Sequence, residues 1–203
     1  LKGLGSAADS WGGIGGGAME AKSEQTGSTQ ELGLRVEDLR EDVARLSTDE
    51  FENRYGAAFL LLSSAGFKQP KNGSSTEVLL LDLEDEVAER TAGVSVRVFP
   101  IQAAKRSLNH LITLGRAANN DVTISDISVS RFHAFFKRSS TGNFQLYDAG
   151  SSNGTIVNGL SVCTKETGPP TELHSGDNIR FGQVDVTFLE PDALRSFVEK
   201  FTD

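Results

Sequence analysis

Phe144-Gln145-Leu146-Tyr147, then Asp148-Ala149-Gly150-Ser151-Ser152-Asn153-Gly154-Thr155, then Ile156-Val157 and Asn158-Gly159: a strand-length apolar run, a polar glycine-containing loop, two β-branched residues and an Asn-Gly pair. Asn-Gly is the strongest short turn signal, because both residues accept positive φ at little cost. Short strands broken by such turns cannot be helix. The same grammar runs outward on both sides. Arg131 to Lys137 and Phe144 to Tyr147 flank the hairpin loop Ser140-Thr141-Gly142-Asn143. Val94, Val96 and Val98 alternate with Ser95, Arg97 and Phe99. Leu111 to Leu114 ends at Gly115-Arg116, and Val122 to Ile124 follows the turn Asn119-Asn120-Asp121. Asn178 to Phe181 and Val184 to Leu189 close the series, with Val184, Val186 and Phe188 on one face. Strands this short, with no helix between them, predict an antiparallel sandwich.

The flanks differ. Leu32, Val36, Leu39, Val43 and Leu46 recur at helical spacing through residues 31–46, with Glu37, Asp38, Arg40, Glu41 and Asp42 on the other face. That predicts an amphipathic helix. It spans about two heptads, too few for a coiled coil. It serves either as a helix docked on its own domain or as a partner or self-association helix. Ser47-Thr48-Asp49-Glu50 reads as a capping box, opening a short helix through Tyr55 that buries Phe51 and ends at Gly56. Phe59-Leu60-Leu61-Leu62 has strand length, Lys68 to Ser75 is loop chemistry, and Val78-Leu79-Leu80-Leu81-Asp82-Leu83 reads as strand or helix. Pro191 opens a last helix with the stripe Leu194, Phe197, Val198 and Phe201. Residues 1–30 are rich in Gly and Ser and are expected to be flexible. Met19 is the sole methionine, so 1–18 reads as native chain or as lead sequence.

Composition sets limits. The chain has 203 residues, of which 37% are apolar, and a net charge of −8. The acidity is peripheral. Residues 31–56 carry four basic and eight acidic side chains, and 77–90 one and six, whereas 94–190 carry nine and eight. A nucleic-acid surface needs a basic stripe, and none is present. No apolar run reaches membrane-spanning length and no secretory signal opens the chain, so a cytoplasmic protein is expected. One cysteine, Cys163, excludes an internal disulfide framework and a multi-cysteine zinc site. His110, His133 and His174 leave little for any other metal cluster. No metal or cofactor is expected.

The polar groups cluster in loops. Gly115-Arg116, Ser130-Arg131-Phe132-His133, Asp148 to Thr155 and Val157-Asn158-Gly159 offer two arginines with forked donors matched to a phosphate. Ser130 and Ser152 add hydroxyl donors, and the Asn153 amide suits a peptide backbone. A Ser130–His133–Asp148 hydrolase is disfavoured, because Ser130 and His133 crowd one strand-turn and no nucleophile elbow accompanies them.

These residues carry a resemblance. Leu114-Gly115-Arg116, Asn120-Asp121-Val122, Ser130-Arg131-Phe132-His133-Ala134, Asp148 to Thr155, Val157-Asn158-Gly159, Leu173 with Gly176-Asp177, and Ile179-Arg180-Phe181-Gly182 stand in the order and spacing of a forkhead-associated (FHA) domain. Val94 to Leu189 resembles that family, whose members recognise phosphothreonine peptides. The resemblance implies a mainly β, antiparallel FHA-type sandwich of about eleven strands (SMAD/FHA-like) with N-terminal and C-terminal helices. It implies a flexible segment 1–30, a helical extension 31–56, a domain over 57–190 with its best-matched core at 94–190 and an insertion at about 70–93, and a C-terminal helix 191–203. Arg116, Ser130, Arg131 and Ser152 then hold phosphate, and Asn153 holds the peptide backbone. Gly115, His133, Gly154, Thr155 and Asn158 brace the site. The implied function is non-catalytic: binding a phosphothreonine-containing protein or peptide downstream of a Ser/Thr protein kinase, without nucleic acid or membrane. Oligomeric state stays open, and a structural scaffold assembling through the helices and sandwich surface is the competing expectation.

Overall fold

The structure is a computed structural model that describes residues 33–63, 95–103 and 111–201. The expectations for segment 1–30, for the insertion at about 70–93 with Val78 to Leu83, and for Leu32, Val94 and His110 lie outside these residues. In chain order the elements are β1 (Leu34–Arg35), α1 (Val36–Arg45), α2 (Thr48–Tyr55), β2 (Phe59–Ser63), β3 (Val96–Pro100), β4 (Ile112–Gly115), β5 (Val122–Thr123), β6 (Ala134–Arg138), β7 (Phe144–Asp148), β8 (Thr155–Val157), β9 (Leu160–Ser161), β10 (Thr171–Glu172), β11 (Asn178–Phe181), β12 (Val184–Leu189) and α3 (Pro191–Phe201). Two sheets result, ordered β1-β3-β2-β12-β11-β8-β9 and β10-β7-β6-β4-β5.

The sandwich is as expected, with twelve strands among the described residues and one departure from antiparallel pairing. β4 and β5 run parallel, with Leu114 opposite Val122. The cause is local. The Asp121 carboxylate accepts from the Thr113 N–H (2.8 Å) and hydroxyl (2.9 Å), so the connecting loop folds back beside β4. The chain then leaves in the direction it came. β6 also starts at Ala134 rather than Arg131, because residues 130–132 bend around Gly115.

Two cores form, one on each face of the larger sheet. Leu60, Phe99, Leu114, Phe136, Leu146, Ile179, Phe181 and Phe188 fill the space between the sheets. Phe59, Leu61, Val96, Val98 and Leu189 face the other way, onto Val36, Leu39, Val43, Phe51, Leu194, Phe197 and Val198 of α1, α2 and α3. This explains why β2 is apolar at successive positions: a strand covered on both faces needs no polar side.

The capping box forms as read: the Ser47 hydroxyl accepts from Glu50 N–H and the Glu50 carboxylate accepts from Ser47 N–H. α1 begins at Val36, later than 31, because Leu34 and Arg35 pair with Val98 and Arg97 at the sheet edge. The stripe of α1 is spent on the chain's own second core, so the docked reading of this helix is the one the packing supports. Arg195 of α3 fastens the arrangement, donating to the Leu46 and Val43 carbonyls (2.7 and 3.0 Å) that α1 leaves unpaired at its end.

Candidate functional site

At one end of the sandwich, the segment leaving β4 zips to the segment entering β6. Arg116 N–H donates to Ser130 O (3.0 Å), Ala117 N–H to Arg131 O (3.3 Å) and His133 N–H to Leu114 O (2.8 Å). Gly115 makes this possible: a Cβ there would lie 2.3 Å from the Arg131 carbonyl oxygen. The Asn120 amide donates to both Ala117 O and Arg131 O, each at 2.7 Å, and locks the pair of loops. Arg116 and Arg131 are thereby mounted side by side on hydrogen-bonded backbone. Both are exposed, and among the described residues neither guanidinium pairs with a carboxylate.

His133 joins this unit to the Asp148–Thr155 loop. Its Nδ1 accepts from Ser130 N–H (2.9 Å), so its Nε2 carries the proton and donates to Gly154 O (3.1 Å). Burial pushes the imidazole below its ordinary value, against the pull of the Gly154 carbonyl and the Asp148 charge. Ser130 Oγ then accepts from Ser152 N–H (3.0 Å) and lies 3.5 Å from Ser152 Oγ. Two hydroxyls from different loops are thus brought together. Among the described residues His133 has no hydroxyl partner, and Asp148 bonds Gly150, Ser151 and Thr155, so the three do not form a nucleophile–base relay.

Asp148 is the hub of the second loop. Its carboxylate accepts from Gly150 N–H, Ser151 N–H, Ser151 Oγ and Thr155 Oγ1 at 2.7 to 2.8 Å. Burial acts to raise its pKa, but these donors outweigh burial and hold it below the usual carboxylate value. Ser151 Oγ also accepts from Gly154 N–H (3.0 Å). Gly154 has φ of +78° and open space around its Cβ position, so backbone conformation rather than crowding requires glycine there.

Asn153 is exposed, and its amide donates to Ser128 O (2.8 Å). Ser128 is itself pinned. Asp126 accepts from its N–H (2.8 Å) and hydroxyl (2.6 Å), both of which hold the Asp126 carboxyl below its ordinary range. Gln183 N–H donates to Ser128 Oγ (2.9 Å).

Gly115, Arg116, Ser130, Arg131, His133, Ser152, Asn153, Gly154 and Thr155 therefore belong to one bonded assembly. Asn158 does not. Its φ of +49° fits the Asn-Gly turn, but its amide bonds Asp177 (2.7 Å) and Asn178 (2.9 Å). The register of β8 on β11 puts that turn at the end away from Thr155. Asn158 braces the strand pair, apart from the loops that carry Arg116, Ser130 and Asn153. Sequence reading also passed over Ser151, Ser128 and Asp126 as braces. The Asp-x-Ser spacing at 126 and 128 was a usable signal, since an aspartate commonly bonds the backbone two residues on.

The arrangement suits a doubly charged tetrahedral anion: two free cationic forks, two hydroxyls, and a rigid backbone that needs no reordering. Residues 112–182 match the family model described as FHA domain. The FHA likeness lies in this segment. Relatives of the FHA segment include the oxoglutarate dehydrogenase inhibitor of Corynebacterium diphtheriae, 38% identical over 78 residues that cover 38% of this chain and 50% of that protein. The glycogen accumulation regulator GarA of Mycolicibacterium smegmatis is 39% identical over 75 residues, covering 37% of this chain and 43% of that protein. The human sarcolemmal membrane-associated protein is 40% identical over 96 residues, covering 43% of this chain but 12% of its own length. The chain spans about half or less of the length of these relatives, so the likeness follows the FHA segment and not a whole protein.

Proposed function

We propose that this chain reads phosphothreonine on a protein partner marked by a Ser/Thr kinase, without itself doing chemistry. The observation that carries the reading is the pair Arg116 and Arg131, exposed and free of carboxylates among the described residues, on backbone bonded to or next to Ser130, whose hydroxyl lies 3.5 Å from that of Ser152. Arg116, Arg131, Ser130 and Ser152 hold the phosphate. The remaining amide capacity of Asn153 meets the peptide backbone. The recognition unit is residues 57–190, with 31–56 and 191–203 as its flanks, working in the cytoplasm with kinases. Among the described residues no helix is long and apolar enough to cross a membrane. The burial of the α1 stripe removes the main support for a scaffold built on that helix.

Titration with a degenerate phosphothreonine peptide library, beside its unphosphorylated and phosphoserine counterparts, tests this. The phosphothreonine set should bind. Arg116→Ala should weaken it roughly 10- to 150-fold, from about 1.5–3 kcal/mol per charged hydrogen bond. Equal binding to all three sets rejects the reading.

A further inference from the structure

The Asn153 amide has two N–H donors and an acceptor. Among the described residues one donor is engaged, in the 2.8 Å bond to Ser128 O. A terminal amide otherwise turns with little preference about its last bond. The bond to Ser128 therefore sets the plane of the amide, and with it the direction of Oδ1 and of the second N–H. What holds the Ser128 carbonyl decides where the free half of Asn153 points.

Two loops hold it. In its own loop, Val129 N–H closes a turn on Asp126 O (3.1 Å), and Asp126 Oδ1 accepts from Ser128 N–H (2.8 Å) and Ser128 Oγ (2.6 Å). From the turn between β11 and β12, Gln183 N–H donates to Ser128 Oγ (2.9 Å). Gly182 of the same turn lies against the carbonyl itself, since a Cβ there would stand 2.4 Å from Ser128 O. The phosphate half of the site hangs on different bonds. Ser130 and Arg131 are tied through Arg116, Ala117, Asn120 and His133. Val129, wholly buried in the core between the sheets, stands between Ser128 and Ser130.

The geometry points to Ser128 as a positioning residue for peptide-backbone reading, acting through Asn153 and held in turn by Asp126 and the β11–β12 turn. This rests on the phosphopeptide reading and deepens it: phosphate and backbone are read by two separately supported halves of one site. Ser128 itself touches no peptide. It orders the Asn153 amide before the peptide arrives, and a side chain ordered in advance loses less entropy on binding.

The test uses the full chain with two probes, the phosphothreonine peptide library and O-phosphothreonine alone, each variant being measured well below its melting temperature. Ser128→Ala removes the hydroxyl that Asp126 and Gln183 hold. Its affinity for the peptides should fall about three- to tenfold, while its affinity for O-phosphothreonine stays within about twofold of wild type. Asn153→Ala should show the same split, with a loss at least as large. The double variant Ser128→Ala with Asn153→Ala should bind peptide no more weakly than Asn153→Ala, because Ser128 then has nothing left to position. Asp126→Ala should behave as Ser128→Ala does, whereas Asp126→Asn keeps an acceptor and should keep peptide affinity. A loss shared equally by O-phosphothreonine overturns the inference, since general loosening of the loops would give it. Additive losses in the double variant overturn it too, as does wild-type peptide affinity in both Ser128→Ala and Asp126→Ala. Each of these leaves phosphate reading intact. Failure of wild type to prefer phosphorylated over unphosphorylated peptide overturns both.

Discussion

A methyl group at position 115 would stand 2.3 Å from the Arg131 carbonyl oxygen and 2.8 Å from its carbon. Those atoms are backbone and cannot swing away. Gly115→Ala should therefore separate the loops that carry Arg116 and Ser130, costing about 1–3 kcal/mol in a denaturation experiment and weakening phosphopeptide binding at least about tenfold. Wild-type affinity in this variant would show that the two loops need not touch. Thr187 poses the opposite case. Its hydroxyl is buried and has no hydrogen-bond partner among the described residues. Thr187→Val keeps the shape and removes an unpaired polar group, so stability should rise by about 1 kcal/mol. A fall in the denaturation midpoint would contradict this. His133 sets a pH dependence. Its folded pKa lies below the ordinary 6.5, so the unfolded chain takes up the proton first. The contribution is intact above 6.5 and is lost as pH falls through the folded value. Asp148 adds a further loss once pH drops below 3.8 toward its own depressed value. Imidazole NMR should show a neutral ring with the proton on Nε2 at pH 7; an imidazolium signal there would be inconsistent with the Ser130 bond.

Elements show how small groups settle larger geometry. The end of α1 offers carbonyls that no later turn of helix can satisfy, and Arg195 of α3 bonds two of them. Its guanidinium also lies over the Phe51 ring of α2, 5.7 Å from the centroid. One side chain thus joins α1, α2 and α3. Arg195→Met retains the stem but loses the donors, and should lower stability by about 1–3 kcal/mol in thermal or chemical melts. No measurable change would mean that water replaces the guanidinium at little cost. β4 and β5 make the same point about direction: one aspartate, Asp121, turns what would be a hairpin into a parallel pair.

For the whole molecule, the helices and the recognition loops are separate consumers of the large sheet. The helices cover its outer face, while the loops emerge at one end. Removing residues after Glu190 would expose the surfaces that Leu194, Phe197 and Val198 cover, each worth about 1.5–3 kcal/mol. The shortened chain should melt at markedly lower temperature yet, while folded, bind phosphopeptide as tightly as the full chain. Loss of affinity well below its melting point would show that the helices support the loops directly.

Alternation in the strands, the Asn158-Gly159 turn and the capping box at Ser47 follow from spacing alone. Each expresses a rule acting over a few neighbouring residues. What the sequence by itself determined was therefore the sandwich and its flanking helices, with the polar loops between the strands. Other features depend on residues far apart in the chain. The apolar stripe of α1 is identical whether it meets its own sheet or a partner, and only packing against β2, β3 and α3 decides. Asn158 looked like a neighbour of Asn153, five residues on, but a three-residue strand carries it to the opposite end. Asp126, Ser128 and Gln183 meet because two loops separated by more than fifty residues close on each other. Local propensity cannot specify such encounters, because their free energy arises only when the sheets close and each buried donor must find an acceptor.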